Sequence, residues 1–316
     1  MKQNVLLGFL LFSTGFIFLS SCEEEVKRLT FPLSAEVFYS ADGRRVAFTA
    51  LTHSAETWYW EFGDGATSTE KNPVHAYPEG GYYIATLTAY DEMGNSVTKE
   101  VKLAIQLTPY ALLTGDHTAD DYDGKTWRLS SDHPSGGDYF ANCDASLSVV
   151  DGTPQPLNAG IFELYFAMGD IYKDEYTFYY DGTYKHDVKE DGGAFSGLVF
   201  EYVTNGGAGI INDNAEDFGL CIAEYTPEPN AFFYFEEEED LIVPSVYSPD
   251  GIKFNNVMTL DFSGTEFIGF RDFQRKVILK SISDTRMQLI MFMAASPGDL
   301  PKNTHALILS FEAVNP

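Results

Sequence analysis

Residues 58–65, which read Trp-Tyr-Trp-Glu-Phe-Gly-Asp-Gly, constrain the fold of this chain more than any other stretch. Large apolar residues recur at every second position up to the first glycine, and this is the period of a β-strand with one face turned toward a core. The two glycines allow backbone angles that a side chain would forbid, and Asp64 between them can cap a turn through its carboxylate. The segment therefore predicts a half-buried strand that runs into a tight turn.

Further motifs follow this strand in a fixed order. Residues 73–77 read P-x-H-x-Y, and residues 81–83 read G-x-Y at the start of a second alternating strand. A turn at 92–95 then precedes a further strand. Together with W-x-F-G-D-G at 60–65, these motifs strongly resemble a PKD domain, which is an immunoglobulin-like module.

The resemblance implies a seven-stranded β-sandwich over residues 35–106 that acts as a spacer. It places Trp60 in the core and makes His75 a structural histidine whose partners lie within the fold. The alternative is that Asp64 or His75 binds a ligand. Because turn formation and core packing already account for the motif, we favour the structural interpretation.

The N-terminal residues predict an exported, lipid-anchored protein. Residues 1–21 carry Lys2 and two short apolar runs, and small residues precede Cys22. This pattern resembles the signal peptide of bacterial lipoproteins, which is removed before a cysteine that receives lipid. The apolar run is too short and too interrupted for a membrane-spanning helix. Several acyl chains on Cys22 would anchor residues 22–34 as a tether.

Three glutamates at residues 23–25 follow the cysteine directly. They resemble the acidic signal that sends lipoproteins of Bacteroidetes to the outer face of the outer membrane. The resemblance implies a protein that is anchored in the outer membrane by lipid and faces the cell exterior. An ordinary hydrophilic tether is the alternative for these residues.

Charge and cysteine content narrow the classes of function. With 47 acidic and 20 basic side chains the formal net charge is −27, and a surface this negative repels phosphate backbones, which excludes nucleic acid as an expected partner. The densest acidic run, residues 236–240, predicts a solvated loop or sheet edge.

Cys143 and Cys221 either pair in an exported protein or remain buried free thiols, and their spacing does not decide between the two.

Residues 107–316 predict one larger β-rich domain. A short strand at 125–129 opens it. Alternating segments around Asp-Gly and Ser-Asp-Thr predict two hairpins, at 175–188 and 277–294.

Three other segments of this domain carry weaker signals. Residues 258–270 predict a hairpin around Ser-Gly, and residues 192–214, rich in glycine and asparagine, predict a long surface loop. Residues 289–294 are apolar at every position, which suits a strand covered on both faces. The expected fold class is all-β, with an immunoglobulin-like PKD sandwich followed by a larger β-sandwich or jelly-roll-like domain.

The second domain also resembles a known group of proteins. Its motifs are K-T-W-x-L at 125–129, D-E-Y-T-F at 174–178, M-T-L-x-F at 258–262 and V-I-L-x-S-I-S-D-T at 277–285. They are similar to the C-terminal β domain that follows PKD modules in lipoproteins of Bacteroidetes polysaccharide-utilisation loci. The resemblance implies a cell-surface protein that captures polysaccharide without cleaving it, beside an outer-membrane importer of the starch-utilisation type. The paired tryptophans frequent in such relatives are absent here.

Sugar binding requires apolar surface for the CH faces of pyranose rings, with acids or amides at its edge. Candidates in or beside predicted loops are the aromatic residues Trp127, Tyr139, Phe140 and Tyr172, with Asp138 and Asp170 as polar partners. Core packing is the alternative for each, and above all for Trp127, because it alternates in a predicted strand.

The remaining alternatives concern catalysis, metal binding and partners. The chain has no G-x-S-x-G, H-E-x-x-H or phosphate-binding glycine motif, so no enzyme and no cofactor are expected. Four aspartates at 116, 120, 121 and 123 suit either Ca²⁺ or a solvated acidic linker, and their spacing does not match a twelve-residue calcium loop. An adhesion or structural lipoprotein with a protein partner, and a glycoside hydrolase, are the competing functions.

Overall fold

The structure is a computed structural model that describes residues 31–314. The predicted signal peptide and Cys22 lie outside the described residues, as does most of the predicted tether. Within the described range, β-strands dominate and the longest helix, Leu198–Asn205, has 8 residues. No helix between residues 31 and 314 is long and apolar enough to cross a membrane.

Seven strands at the N-terminal end form two facing antiparallel sheets. The first sheet has the order β1-β2-β5 and the second the order β4-β3-β6-β7. The strands are β1 (Ser34–Asp42), β2 (Arg45–His53), β3 (Thr57–Glu61), β4 (Thr67–Ser68), β5 (Val74–Ala76), β6 (Gly81–Tyr90) and β7 (Ser96–Ile105). This arrangement is the seven-stranded sandwich that the resemblance implies.

The core of this sandwich forms around Trp60. The ring of Trp60 is fully buried, and its centroid lies 5.1 Å from that of Phe48 on the facing sheet. At the end of β3, Gly63 has φ +85°, and a Cβ there would lie 2.6 Å from the Ile84 carbonyl oxygen, so the turn requires glycine.

The side chains of His75 and Asp64 both have partners within the fold. His75 stacks on Phe62 at a centroid distance of 4.2 Å, and its Nε2 lies 2.6 Å from Asp64 Oδ2. The other Asp64 oxygen accepts from the Ala66 N–H, 3.0 Å away, and caps the turn. The predicted structural roles of Trp60, Asp64 and His75 are confirmed.

The rest of the described chain builds a second, larger β structure. Its elements are α1 (Pro109–Thr114), β8 (Lys125–Leu129), α2 (His133–Gly136), β9 (Tyr139–Asn142), α3 (Ile161–Phe166), β10 (Glu175–Phe178), β11 (Thr183–Asp187), β12 (Gly193–Gly197), α4 (Leu198–Asn205), β13 (Ile210–Asn212), β14 (Leu220–Glu224), β15 (Ala231–Ser245), β16 (Ser248–Phe262), β17 (Val277–Ile282), β18 (Arg286–Met293) and β19 (His305–Ala313). Single turns of 3-10 helix lie at Gly169–Tyr172 and Glu216–Phe218.

The main sheet of this domain closes on itself. Its strand order is β18-β17-β16-β15-β11-β10-β8-β19-β9, and β18 also pairs with β19 along its whole length. Eight of these strands therefore form an antiparallel ring, and β9 is attached outside it on β19. The all-β prediction, with a sandwich first and a larger β domain second, is confirmed. The closed strand order is a further detail that the sequence did not predict.

The strands of the β17–β18–β19 region are buried on both faces. Leu289 and Met291 point into the main core, whereas Ile290 and Phe292 belong to a second apolar cluster. The outer half of the long β15–β16 hairpin, with Leu241 and Val243, covers this second cluster. The prediction that residues 289–294 form a strand covered twice is confirmed.

Two segments are inserted into the ring, and they hold the helices of this domain other than α1. The first insertion, residues 130–174, runs from β8 to β10 and includes α2, β9 and α3. The second, residues 188–230, runs from β11 to β15 and carries the small sheet β12-β14-β13 with α4. Buried residues of both, such as Phe162 and Phe195, join the main core of the barrel.

Four sequence-based expectations for this domain need correction or completion. Residues 192–214 were expected to form a surface loop, but they contain two strands and α4, because β12 pairs with β14 and buries Ala194 and Phe195. Residues 266–270 do not return as a strand; β16 instead pairs with β15 and β17. Residues 236–240 lie in β15 and are mostly solvent-exposed, and Cys143 and Cys221 are buried free thiols.

Replacement of Trp60 by alanine tests the first core. Because the side chain is fully buried, we expect Trp60→Ala to lower the free energy of unfolding of the N-terminal sandwich by about 3–5 kcal/mol. Tyr59→Ala, on the exposed face of the same strand, is the control and should cost much less. Urea denaturation of both variants is the measurement, and equal effects would contradict the packing described.

Candidate functional site

Trp127 lies inside the barrel and is excluded from contact with any ligand. Its side chain is fully buried, and its Nε1 donates to the Leu113 carbonyl oxygen, 3.0 Å away. The closed sheet turns alternate residues of β8 inward, so this aromatic ring faces the core rather than solvent. The prediction that Trp127 binds sugar is wrong.

Asp138 is also unavailable, because protein groups surround its carboxylate. Oδ2 lies 2.8 Å from His133 Nδ1, and Oδ1 accepts from Ser310 Oγ at 2.6 Å and from Gln288 Nε2 at 3.0 Å. Asp138 is fully buried, and its role as a polar partner for sugar is corrected to one in a structural network. Ser310 donates to Asp138 rather than to His133, so the group lacks the Ser–His hydrogen bond of nucleophilic hydrolysis.

Tyr172 contributes to the same network from its other side. Its hydroxyl lies 2.8 Å from His133 Nε2, and burial raises the pKa of that hydroxyl above its ordinary value. Asp170, on the same 3-10 turn, pairs with Lys173 at 2.6 Å. Tyr172 and Asp170 remain half-exposed and line a shallow depression beside α3.

The adjacent residues Tyr139 and Phe140 point in opposite directions, as neighbours on a strand do. Tyr139 packs on the outer apolar cluster, with the Lys280 ammonium 5.9 Å from its ring centroid. Phe140 is 9% exposed and lines a cleft on the other side of β9. The predicted site residues are thus dispersed, and of them Phe140 alone lines this cleft.

The cleft lies where the two insertions meet the ends of β18 and β19. It has a volume of about 500 Å³. Its apolar walls come from Phe140 and Val150 in the first insertion, Leu198, Val199, Phe218 and Leu220 in the second, and Met293 and Leu307 on the barrel strands. Its polar side chains are those of Asp151, Thr153, Glu216, Asp217 and His305. A concave apolar surface with a few convergent polar groups is the usual form of a ligand site.

A row of aromatic rings extends from the cleft across the protein surface. Phe218 lines the cleft, and its ring centroid lies 5.4 Å from that of Phe166, which in turn lies 6.4 Å from that of Tyr165. The side chains of Tyr165 and Phe218 are 66% and 45% exposed. We call Tyr165, Phe166 and Phe218 the aromatic row.

Hydrogen bonds between the insertions hold the aromatic row in place. Asn214 Nδ2 donates to the Phe166 carbonyl oxygen at 3.0 Å, and Asn212 Nδ2 donates to that of Ala167 at 2.9 Å. Gly219 follows the last ring of the row with φ +73°, and a Cβ there would lie 3.3 Å from that of Ala295. These hydrogen bonds therefore hold the segment before Phe218 against the end of α3, and the lack of a side chain at Gly219 lets the chain pass close to Ala295.

His305 is the one basic group among the residues that line the cleft. Its Nδ1 lies 2.8 Å from Thr304 Oγ1, and burial lowers the pKa of the imidazole below its ordinary value. The imidazole is therefore neutral at neutral pH. The charges that line the cleft are consequently those of carboxylates.

The four aspartates that suit either Ca²⁺ or a solvated linker do not converge on one point. Asp116 accepts from Thr118, Asp120 pairs with Lys102, and Asp123 lies 3.3 Å from the Tyr179 hydroxyl. Within residues 31–314, no group of three or more His, Cys, Asp or Glu side chains has the geometry to hold a metal ion.

Sequence reasoning missed Phe218, Glu216 and Asp217. An available signal was the position of Phe218, an isolated aromatic residue in the polar stretch 212–219. The sequence shows aromatic residues at 162, 165 and 166, but nothing in it places them beside Phe218. Their proximity depends on contacts between the two insertions.

The N-terminal sandwich has relatives among known proteins. Residues 38–105 match the family described as PKD domain. These residues form a PKD domain. Collagenase ColA of Bacillus cereus is 42% identical over 77 residues, which is 24% of this chain and 8% of the collagenase. The chain thus spans a small part of that relative, and the match says nothing about collagenase activity here.

Two solved structures are similar to parts of this chain. The PKD1 domain of the Vibrio cholerae metalloprotease PrtV is 27% identical and aligns over 24% of this chain and 100% of its own length, with a TM-score of 0.24. A second structure, of carbohydrate-binding modules from the β-sandwich superfamily, covers 90% of this chain and 92% of its own. Its identity of 11% and TM-score of 0.25 are too low to support any conclusion about the larger domain.

Asp174, which lies between the 3-10 turn Gly169–Tyr172 and β10, provides a test through pH. It is 1% exposed, and within residues 31–314 neither carboxylate oxygen has a hydrogen-bond partner. Burial, with the nearby charges of Asp191 and Asp187, raises the pKa of Asp174 to about 8. The folded state therefore retains a proton that an unfolded aspartate releases at about pH 4.

This raised pKa gives stability at low pH that is lost as the pH rises through about 8. We expect the free energy of unfolding to fall between pH 5 and 8 by at most about 1.4 kcal/mol per pH unit from this group. Asp174→Asn should remove that fall. Urea denaturation across this pH range is the measurement, with Asp213→Asn as a reference for the loss of one exposed acid. A pH dependence unchanged in Asp174→Asn would show that the carboxyl is not held protonated.

Proposed function

We propose that this chain is a non-catalytic, lipid-anchored glycan-binding protein of the cell surface, which captures polysaccharide for an outer-membrane uptake system. The observation that carries the proposal is the aromatic row that continues into an apolar cleft rimmed by carboxylates. Compared with adhesion and glycoside hydrolysis, glycan capture is the function that uses both the exposed aromatic rings and the cleft.

The chemistry of the row and cleft suits sugar rings. The CH faces of pyranoses pack on exposed aromatic side chains, which lose little rotamer freedom when they bind. Ionised carboxylates accept hydrogen bonds from hydroxyl groups. Tyr165 and Phe218 offer such rings, and Glu216 and Asp217 stand beside the second of them.

The remaining parts of the chain fit a role at the cell surface. The lipoprotein-type sequence that ends at Cys22 would tether the chain, and the PKD domain would act as a spacer between membrane and barrel. Many copies on one surface would bind a long polysaccharide together, so weak individual sites would suffice. An importer of the starch-utilisation type is the partner that we propose for the captured glycan.

Affinity electrophoresis of the purified full chain tests the proposal. Native gels cast with plant, algal and host polysaccharides should retard the chain with at least one of them. We expect the double variant Tyr165→Ala/Phe218→Ala to lose affinity about tenfold or more, because aromatic anchors dominate binding energy.

Tyr234→Ala is the matched control, since Tyr234 is 56% exposed on β15 and does not line the cleft. It should bind as the unmodified chain does. Absence of retardation with every polysaccharide would contradict glycan capture and favour the adhesion lipoprotein with a protein partner.

The non-catalytic part of the proposal has its own assay. Prolonged incubation of the chain with the polysaccharide that retards it should release no reducing ends above a protein-free blank. Release of reducing ends that increases with protein concentration would show a glycoside hydrolase instead.

A further inference from the structure

The cleft contains an unbalanced set of charges. Asp151, Glu216 and Asp217 line it, and neither lysine nor arginine does so among the described residues. His305 adds no positive charge at neutral pH, because burial lowers its pKa. Every formal charge at this site is therefore negative.

These carboxylates are also unengaged. Across residues 31–314, none of the side chains of Asp151, Glu216 and Asp217 forms an ion pair or accepts a hydrogen bond from another protein group. The contrast with Asp170 in the neighbouring depression is direct, since Lys173 neutralises that residue at 2.6 Å. Open acceptors at the rim suit a ligand that brings donors and no negative charge.

An anionic ligand would meet repulsion that nothing at the site offsets. A carboxylate or sulfate near Glu216 and Asp217 adds a like charge beside two solvent-exposed carboxylates, and the repulsion acts over about 10 Å at 0.1 M salt. The net charge of −27 extends this repulsion to the approach of the ligand. A hydroxyl group, in contrast, donates to the same oxygens.

We propose that the cleft selects neutral glycans and excludes glycans that carry uronate or sulfate groups. The inference rests on the proposed function and adds the substrate class to it. Glu216 and Asp217 are the residues that determine this specificity, because they lie on the same short turn as Phe218 at the edge of the aromatic row. The aromatic row supplies affinity, and the carboxylates supply discrimination.

Pairs of polysaccharides that share a backbone and differ in charge provide the test. Suitable pairs are laminarin with sulfated laminarin, neutral with sulfated galactan, and fully methyl-esterified with de-esterified polygalacturonate. The dissociation constant of the full chain is measured for both members by biolayer interferometry at 20 mM and 500 mM NaCl. We expect at least one neutral member to bind. At low salt the dissociation constant of its anionic partner should be at least tenfold higher. The difference should shrink at high salt, where charges are screened.

Two double variants separate the cleft from the overall charge. In Glu216→Gln/Asp217→Asn, the dissociation constants for the two members of the bound pair should differ by less than threefold at low salt. Glu236→Gln/Glu237→Gln removes the same net charge from the exposed β15 strand and should leave the difference unchanged. Equal narrowing in both variants would overturn the assignment of specificity to the cleft.

The outcomes distinguish this inference from the proposed function. Tighter or equal binding of the anionic member overturns the selectivity for neutral glycans and leaves glycan capture standing. If the chain binds neither member of any pair, the result contradicts both the selectivity for neutral glycans and glycan capture.

Discussion

The pairing of β18 with β19 closes the larger sheet, and the rest of the domain depends on that closure. Strand β19 pairs with β18 on one side and with β8 on the other, so the ring has no free strand edge where it closes. An eight-stranded ring has an interior that side chains can fill, and here Trp127, Tyr176 and Phe311 fill it. The interior of the barrel is therefore filled by side chains rather than open to a ligand. Binding surfaces must be formed by segments outside the ring of strands.

The two insertions are these additions, and the cleft lies at the place where they meet. Phe140, Phe218 and Leu307 are far apart in the chain but line one concave surface, because both insertions meet the barrel near the start of β19. Each insertion is fixed by polar contacts, such as the buried His133–Asp138 pair and the Asn214 bond to α3. Rigid support of this kind keeps an exposed aromatic row oriented, and preorganisation lowers the entropic cost of binding.

The sequence was most informative where structure depends on neighbours in the chain. Alternation and turn residues predicted the strand at Trp60, the 175–188 and 277–294 hairpins and the doubly covered β18, and the motifs around Asp64 and His75 predicted their structural roles. Trp127 was misassigned because alternation identifies one face of a strand without saying whether that face meets solvent or a closed interior. Phe218 was missed because its partners, Phe166 and Phe140, approach it only after both insertions have folded onto the barrel.

Hydroxyl-radical footprinting of the full chain, read by mass spectrometry with and without a saturating polysaccharide that retards it, tests the central claim most directly. We expect oxidation of Tyr165, Phe166 and Phe218 to fall on binding, while that of Tyr234 and Phe38, which are 56% and 58% exposed, does not change. Protection of Tyr234 or Phe38 with no change in the aromatic row would contradict the claim that this row and its cleft form the glycan-binding surface.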